Sequence, residues 1–132
     1  MIRVLLAAAV LLTISCGSVS SAPAAPTAPS NGFDMLVTDN DRAVNVHPGQ
    51  KIELVLHAKP GMSNWSNVMV DDPSVLRGVP TGITAAIGVT IAGFEAVSPG
   101  TAKITATAVP VCSPGQACPA IAMLYELTVT VS

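Results

Sequence analysis

The residues of this 132-residue chain that could carry chemistry are few: two histidines, one pair of adjacent aspartates, a handful of methionines and three cysteines. A histidine base needs a nucleophile or a metal beside it. His47 and His57 have neither in sequence, since no G-x-S-x-G elbow, H-E-x-x-H pair or phosphate-cradling glycine loop accompanies them. His47 abuts Pro48 in a turn, and His57 falls on the polar side of an alternating segment, so both read as solvated surface residues. Asp71-Asp72 runs straight into Pro73-Ser74, which reads as a turn rather than as a calcium or acid pair. Met62 and Met69 lie near His57, and thioethers suit Cu(I), but methionine more commonly fills gaps in a core. Cys112 and Cys118 are spaced C-x5-C with no histidine nearby, which is neither a zinc knuckle nor a CxxC redox pair. No catalytic residue, metal or cofactor is expected, and the chain reads as a non-enzyme.

The third cysteine has a different setting. Cys16 ends an eleven-residue apolar run, Val4 to Ile14, that follows Arg3, and Gly17-Ser18 comes directly after it. A positive start, a short apolar stretch and a small-residue exit describe an export signal. The run is too short to cross a bilayer, which takes roughly 20 apolar residues. The block Leu12-Thr13-Ile14-Ser15-Cys16 resembles a bacterial lipobox, which implies a signal over 1–15 and lipidation of Cys16 by a diacylglyceryl group. One acyl chain holds a protein marginally and two hold it stably. The expected location is therefore outside the cytoplasm, anchored to the cell membrane and facing the periplasm or the exterior. Ser20-Ser21-Ala22, the alternative exit for ordinary cleavage, is followed by Pro23, which hinders cutting. In an exported chain with Cys16 lipidated, Cys112 and Cys118 remain to form a disulfide.

Residues 16–32 read as a stalk. GSVSSAPAAPTAPSNG carries three prolines and no bulky hydrophobe but Val19. Such composition buries too little surface to offset the entropy of ordering, and proline-rich linkers are semi-rigid at about 3.1 Å per residue. Residues 33–132 are enough for one small domain. Five scattered bases (Arg42, Lys51, Lys59, Arg77, Lys103) face eight acids there, a net charge near −3 with no basic stripe. Nucleic acid is excluded as a partner on that ground. Phe33, Trp65, Phe94 and Tyr125 are the whole aromatic set, too few for a stacking platform.

The elements that would position any site are strands. Pro48-Gly49, Pro60-Gly61, Pro99-Gly100 and Pro114-Gly115 each carry the signature of a type II turn. Between them, Lys51 to Ala58, Thr101 to Val109 and Tyr125 to Ser132 alternate apolar and polar residues with period two. Ile52, Leu54 and Leu56 face one way, and Lys51, Glu53 and His57 the other. Weaker strands are expected over Phe33–Thr38, Val44–Val46, Trp65–Val70 and Ile91–Val97. About seven short strands predict an all-β, immunoglobulin-like antiparallel β-sandwich, with Trp65 in its core on a central strand.

Val44 to Trp65 (VNVHPGQKIELVLHAKPGMSNW), Phe94 to Pro110 (FEAVSPGTAKITATAVP) and the final YELTVTV together resemble the chagasin-type inhibitors of papain-like cysteine proteases. The resemblance implies an immunoglobulin-like domain that plugs a protease cleft with three loops. Where that family has Asn-Pro-Thr-Thr-Gly, this chain has Ala58-Lys59-Pro60-Gly61-Met62; where it has Arg-Pro-Trp, this chain has Val109-Pro110-Val111. The family's middle loop would fall near Gly82 to Gly93. A second stretch, WSNVMVDDPSVL with SPGTAKITATA and TVTV, is similar to the immunoglobulin-like modules of bacterial surface adhesins.

The expected function is a tethered, non-catalytic binding domain with a protein partner in the envelope or outside the cell. Its candidate contact residues are Lys59, Pro60, Gly61, Met62, Ser63, Asn64, Val109, Pro110 and Val111, in loops expected at one end of the sandwich together with the 78–93 segment and the stretch on to Cys118. The alternatives are chagasin-like inhibition of papain-like proteases through the same loops, and a structural module of the envelope recognised along a strand edge.

Overall fold

A computed structural model describes residues 29–30 and 32–132. Cys16, the signal and most of the expected stalk lie outside the described residues. Eight strands follow one another: β1 (Met35–Thr38), β2 (Ala43–Val46), β3 (Lys51–His57), β4 (Ser66–Val70), β5 (Leu76–Val79), β6 (Val89–Ala96), β7 (Gly100–Ala108) and β8 (Met123–Val131). They form two four-stranded sheets, ordered β1-β3-β6-β5 and β2-β8-β7-β4.

The all-β sandwich is as the alternation predicts, with three differences. β5 is an added strand, because Leu76-Arg77-Gly78-Val79 is too short and too glycine-broken to stand out until β6 offers it a ladder. Two pairings are parallel, β1 on β3 and β2 on β8, so the sheets are mixed rather than antiparallel throughout. Trp65 is buried as expected, but it stands just before the edge strand β4 and not on a central strand.

The longest pairing joins β7 to β8 in an unbroken register from Gly100↔Val131 to Ala108↔Met123. Its inward side is Ala102, Ile104, Ala106 and Ala108 against Val129, Leu127 and Tyr125, all buried. The alanines are explained by what stands beside them. Ala106 is paired with Tyr125, whose ring meets Trp65 edge-on at 6.1 Å between centroids. Small next to large fills the layer without a void. The Trp65 indole N–H donates to the His57 carbonyl at 2.9 Å, so burying the ring strands no polar atom. Ile52, Leu54, Leu56, Leu76 and Phe94 close the core from the facing sheet.

β3 departs from simple alternation. Glu53, expected on a solvated face, is 4% exposed. Its carboxylate accepts the Ser30 N–H at 2.7 Å and the Ser30 hydroxyl at 3.0 Å. Phe33 lies over the neighbouring Gly93, whose absent Cβ would stand 2.9 Å from the ring and 2.8 Å from the Val79 carbonyl oxygen. The chain thus enters across the outer face of this sheet and covers it. The Asp34 N–H then donates to the Lys51 carbonyl at 2.9 Å, and its carboxylate accepts the Lys51 N–H at 2.8 Å.

Three of the four Pro-Gly pairs make the expected turns. The N–H groups of Gln50, Met62 and Gln116 donate to the carbonyls of His47, Lys59 and Ser113, with Gly49, Gly61 and Gly115 at positive φ. Gly100 is different. It opens β7 at φ 151°, and a Cβ there would meet Val75 at 2.8 Å, so it serves close packing rather than a type II turn. Asp71-Asp72 forms the expected turn: the Asp72 carboxylate accepts the Ser74 N–H and hydroxyl, and Asp71 accepts the Lys103 N–H.

Candidate contact surface at the loop pole

β3 runs from Lys51, where the chain enters, to His57, where the β3–β4 loop begins; the entry and that loop are therefore at opposite ends of the strand. Seven residues of strand separate them, roughly 20 Å. Three connections meet at the far end: the β3–β4 loop (58–65), the β5–β6 loop (80–88) and the β7–β8 loop (109–122). The expected middle segment shrinks to 80–88, since Gly78 and Gly93 lie within β5 and β6.

The candidate residues are brought together by main-chain bonds. Met62 and Pro110 form an isolated antiparallel bridge. The Ser63 N–H donates to the Val109 carbonyl at 2.7 Å, the Val111 N–H to the Gly61 carbonyl at 2.9 Å, and the Val109 N–H to the Ser63 hydroxyl at 3.1 Å. The reason is local. Pro60-Gly61 turns the chain so that Gly61 and Met62 present their main-chain groups sideways, and Pro110 takes a bridging place where it needs no N–H of its own. The middle loop is joined less tightly: the Ala58 N–H donates to the Gly88 carbonyl at 2.8 Å, and the Thr90 hydroxyl to the Trp65 carbonyl at 2.8 Å. Lys59, Pro60, Gly61, Met62, Ser63, Val109, Pro110 and Val111 therefore belong to one stitched tip, and Asn64 sits exposed beside it.

Cys112 and Cys118 form the expected disulfide, with Cα atoms 5.6 Å apart. It closes the loop immediately beyond Val111, so the tip is braced covalently on one side and by the bridge on the other.

Apolar side chains gather here. Ile83, Ile87, Val109, Val111, Ile121, Met123 and Leu124 are all exposed, while Met69 and Val97 are the only other large hydrophobes exposed among the described residues. Val111 is 67% exposed and Ile121 64%. This concentration sets the loop end apart from the rest of the described surface. Of the two methionines expected to fill gaps, Met62 does pack against the core, whereas Met69 points out from the edge strand β4.

Charge is sparse and paired. His57, exposed as expected, has Nδ1 3.4 Å from the Asp39 carboxylate, and Lys59 Nζ donates to the same group. Burial pushes Asp39 up, but the hydrogen bonds from Lys59 and His57 outweigh it and leave Asp39 below the ordinary aspartate range. The sequence carried no sign of Asp39, because its partners are 18 and 20 residues away. His47 lies at the other end, with Nδ1 2.8 Å from the Ser132 carbonyl oxygen. Among the described residues no group of three or more His, Cys, Asp or Glu side chains could hold a metal ion. A shallow groove of about 370 Å³ between β4, β5 and β6 is lined by Val68, Val79, Pro80 and Ile91 among others, with no titratable side chain.

The arrangement is that of a β-sandwich presenting a loop-built, apolar tip. No family model matches the chain, and no curated protein matches it. Among solved structures it is similar to the cysteine protease inhibitor EhICP2 from Entamoeba histolytica, with a TM-score of 0.52 and 16% identity over 76% of this chain and 100% of that one. The solution structure of amebosin is similar at a TM-score of 0.44 and 20% identity, with the same coverage. At such identities the likeness to EhICP2 establishes a shared fold.

Proposed function

We propose that this protein is an envelope-anchored, non-catalytic binding module that inserts its loop pole into an open cleft of a protein partner, and that the partner is a papain-like cysteine protease. One observation carries the reading. The 59–64 and 109–111 segments, expected at one end of the sandwich, are stitched into a single tip that projects beyond the sheets. A preformed tip loses little conformational entropy on binding, which favours plugging a rigid cleft. The fold shared with EhICP2, itself described as a cysteine protease inhibitor, supports the protease over other cleft-bearing partners. The tip reaches that end without the residues usual in chagasin-type loops, so its contacts would come from Val109, Val111 and the Lys59–Met62 turn.

Lipidation of Cys16 would suit this use. The chain enters the domain at the end of β3 remote from the loops, so a tether there leaves the tip facing away from the membrane. The test is titration of papain with the purified protein. Inhibition at or below micromolar concentration, lost on exchanging Lys59–Asn64 for a Gly-Ser stretch, is the expected result. No inhibition at that concentration removes the protease, and binding to envelope extracts that survives the loop exchange removes the tip.

A further inference from the structure

One carboxylate near the loop pole is placed unlike the others. Asp39 lies between β1 and β2, its side chain is 10% exposed, and it receives both Lys59 and His57. Lys59 is the first residue of the turn whose last N–H, that of Met62, returns to the Lys59 carbonyl at 3.0 Å. The two residues that close this turn, Gly61 and Met62, are the ones that hold Val111 and Pro110. Any displacement of Lys59 is therefore carried through the turn into the β7–β8 loop.

The support of Asp39 is itself rigid. The Tyr125 hydroxyl lies 3.2 Å from the Thr38 carbonyl oxygen and 3.1 Å from that of Asp41, and it donates to them from within the core. Arg42 stacks over the Tyr125 ring at 5.0 Å and donates to the carbonyls of Asp39 and Asp41. The Asp41 carboxylate accepts the Thr38 N–H at 2.8 Å. A fixed anion thus faces the base of the tip. Lys59 is also the one charged residue in 58–65, 80–88 and 109–122.

We infer that Asp39 is a positioning and specificity-determining residue: by holding Lys59 it sets the 59–62 turn against Val109–Val111 and neutralises the single cation of the three loops, whose side chain stays 41% exposed, so that a partner meets no unpaired charge in those loops. The consequence for binding rests on the function proposed above; the positional effect does not. The cleft that accepts this tip is correspondingly uncharged and apolar, and its affinity is insensitive to salt, because there is no free charge at the contact to screen.

The experiment compares the full chain with Asp39→Asn, Lys59→Met and the exchanged pair Asp39→Lys with Lys59→Asp. Amide hydrogen exchange is read at Met62, Ser63 and Val111, with Leu54 and Ile104 as core references. Both single variants should raise exchange at the three tip amides about tenfold and leave the core unchanged, and the exchanged pair should recover most of the protection. With papain as probe, Asp39→Asn should weaken inhibition about tenfold and make it salt-dependent between about 0.05 and 0.5 M, since Lys59 is then free, while the unsubstituted chain shows no salt dependence. Unchanged exchange at the three tip amides overturns the proposal, and so does an equal rise in the core, which would make Asp39 a general fold residue. If the unsubstituted chain leaves papain uninhibited, the protease reading fails and the exchange data alone decide the role of Asp39.

Discussion

The β7–β8 hairpin is two molecules in one. Along its shaft, apolar side chains point in and Thr101, Lys103, Thr105, Glu126, Thr128 and Thr130 point out, with Lys103 donating to Glu126 at 3.1 Å. Past Ala108 the rule inverts, and Val109, Val111 and Ile121 stand in solvent. The shaft is held by alternation and burial, the crown by a main-chain bridge, a disulfide and one borrowed carboxylate. Stability thus resides in one region, while the other can spend its side chains on contact.

That contrast can be broken first in the packed body to which the shaft belongs. Trp65→Ala removes a buried ring that packs on Tyr125 and leaves a cavity, at a cost of about 3–5 kcal/mol; denaturant unfolding should show it as a lower midpoint. Gly93→Ala pushes a methyl group against Phe33 and the Val79 carbonyl, which should cost about 1–3 kcal/mol and expose the 29–34 segment to limited proteolysis. At the crown, replacing Cys112 and Cys118 by serine opens a short loop, for a loss of about 2 kcal/mol that falls on the tip rather than on the sheets. Exchange at Val111 should therefore rise well before the core unfolds.

Asp39 gives a pH-dependent test of smaller size. Its folded pKa lies below the usual aspartate value of 3.8, so its contribution is complete above that value and is lost as pH falls through the lower folded value. Acidification in that window should loosen the Met62, Ser63 and Val111 amides, and Asp39→Asn should abolish the dependence. Smallest in stability is Val111→Ser, expected to fall within about 0.5 kcal/mol because the side chain is already in water. Its effect belongs to binding, where inhibition of papain should weaken with no shift of the melting curve.

How much of this was legible follows from separation along the chain. Period-two alternation named β3, β7 and β8 because each carries its own signal within eight or nine residues, and C-x5-C named the disulfide. β5 escaped because a four-residue strand with a central glycine has no pattern of its own and exists by pairing with β6. Glu53 was misplaced because alternation says which side a residue faces, not what later covers that side; Ser30, 23 residues away, covers it. The loops were expected at one end, but that 59–64 and 109–111 are stitched into one object rests on hydrogen bonds between residues about fifty positions apart.

By itself the sequence determined the all-β class, three of the four turn glycines, the charge balance and the pairing of the last two cysteines. Each of these depends on neighbours close in the chain or on composition, where backbone geometry and side-chain chemistry act directly. Only the tertiary structure decided how the loops at the pole are stitched together, that the entering chain lies over Glu53 and Gly93, and that Asp39 holds Lys59. These are contacts between distant residues, set by how two twisted sheets pack, and no local pattern encodes them.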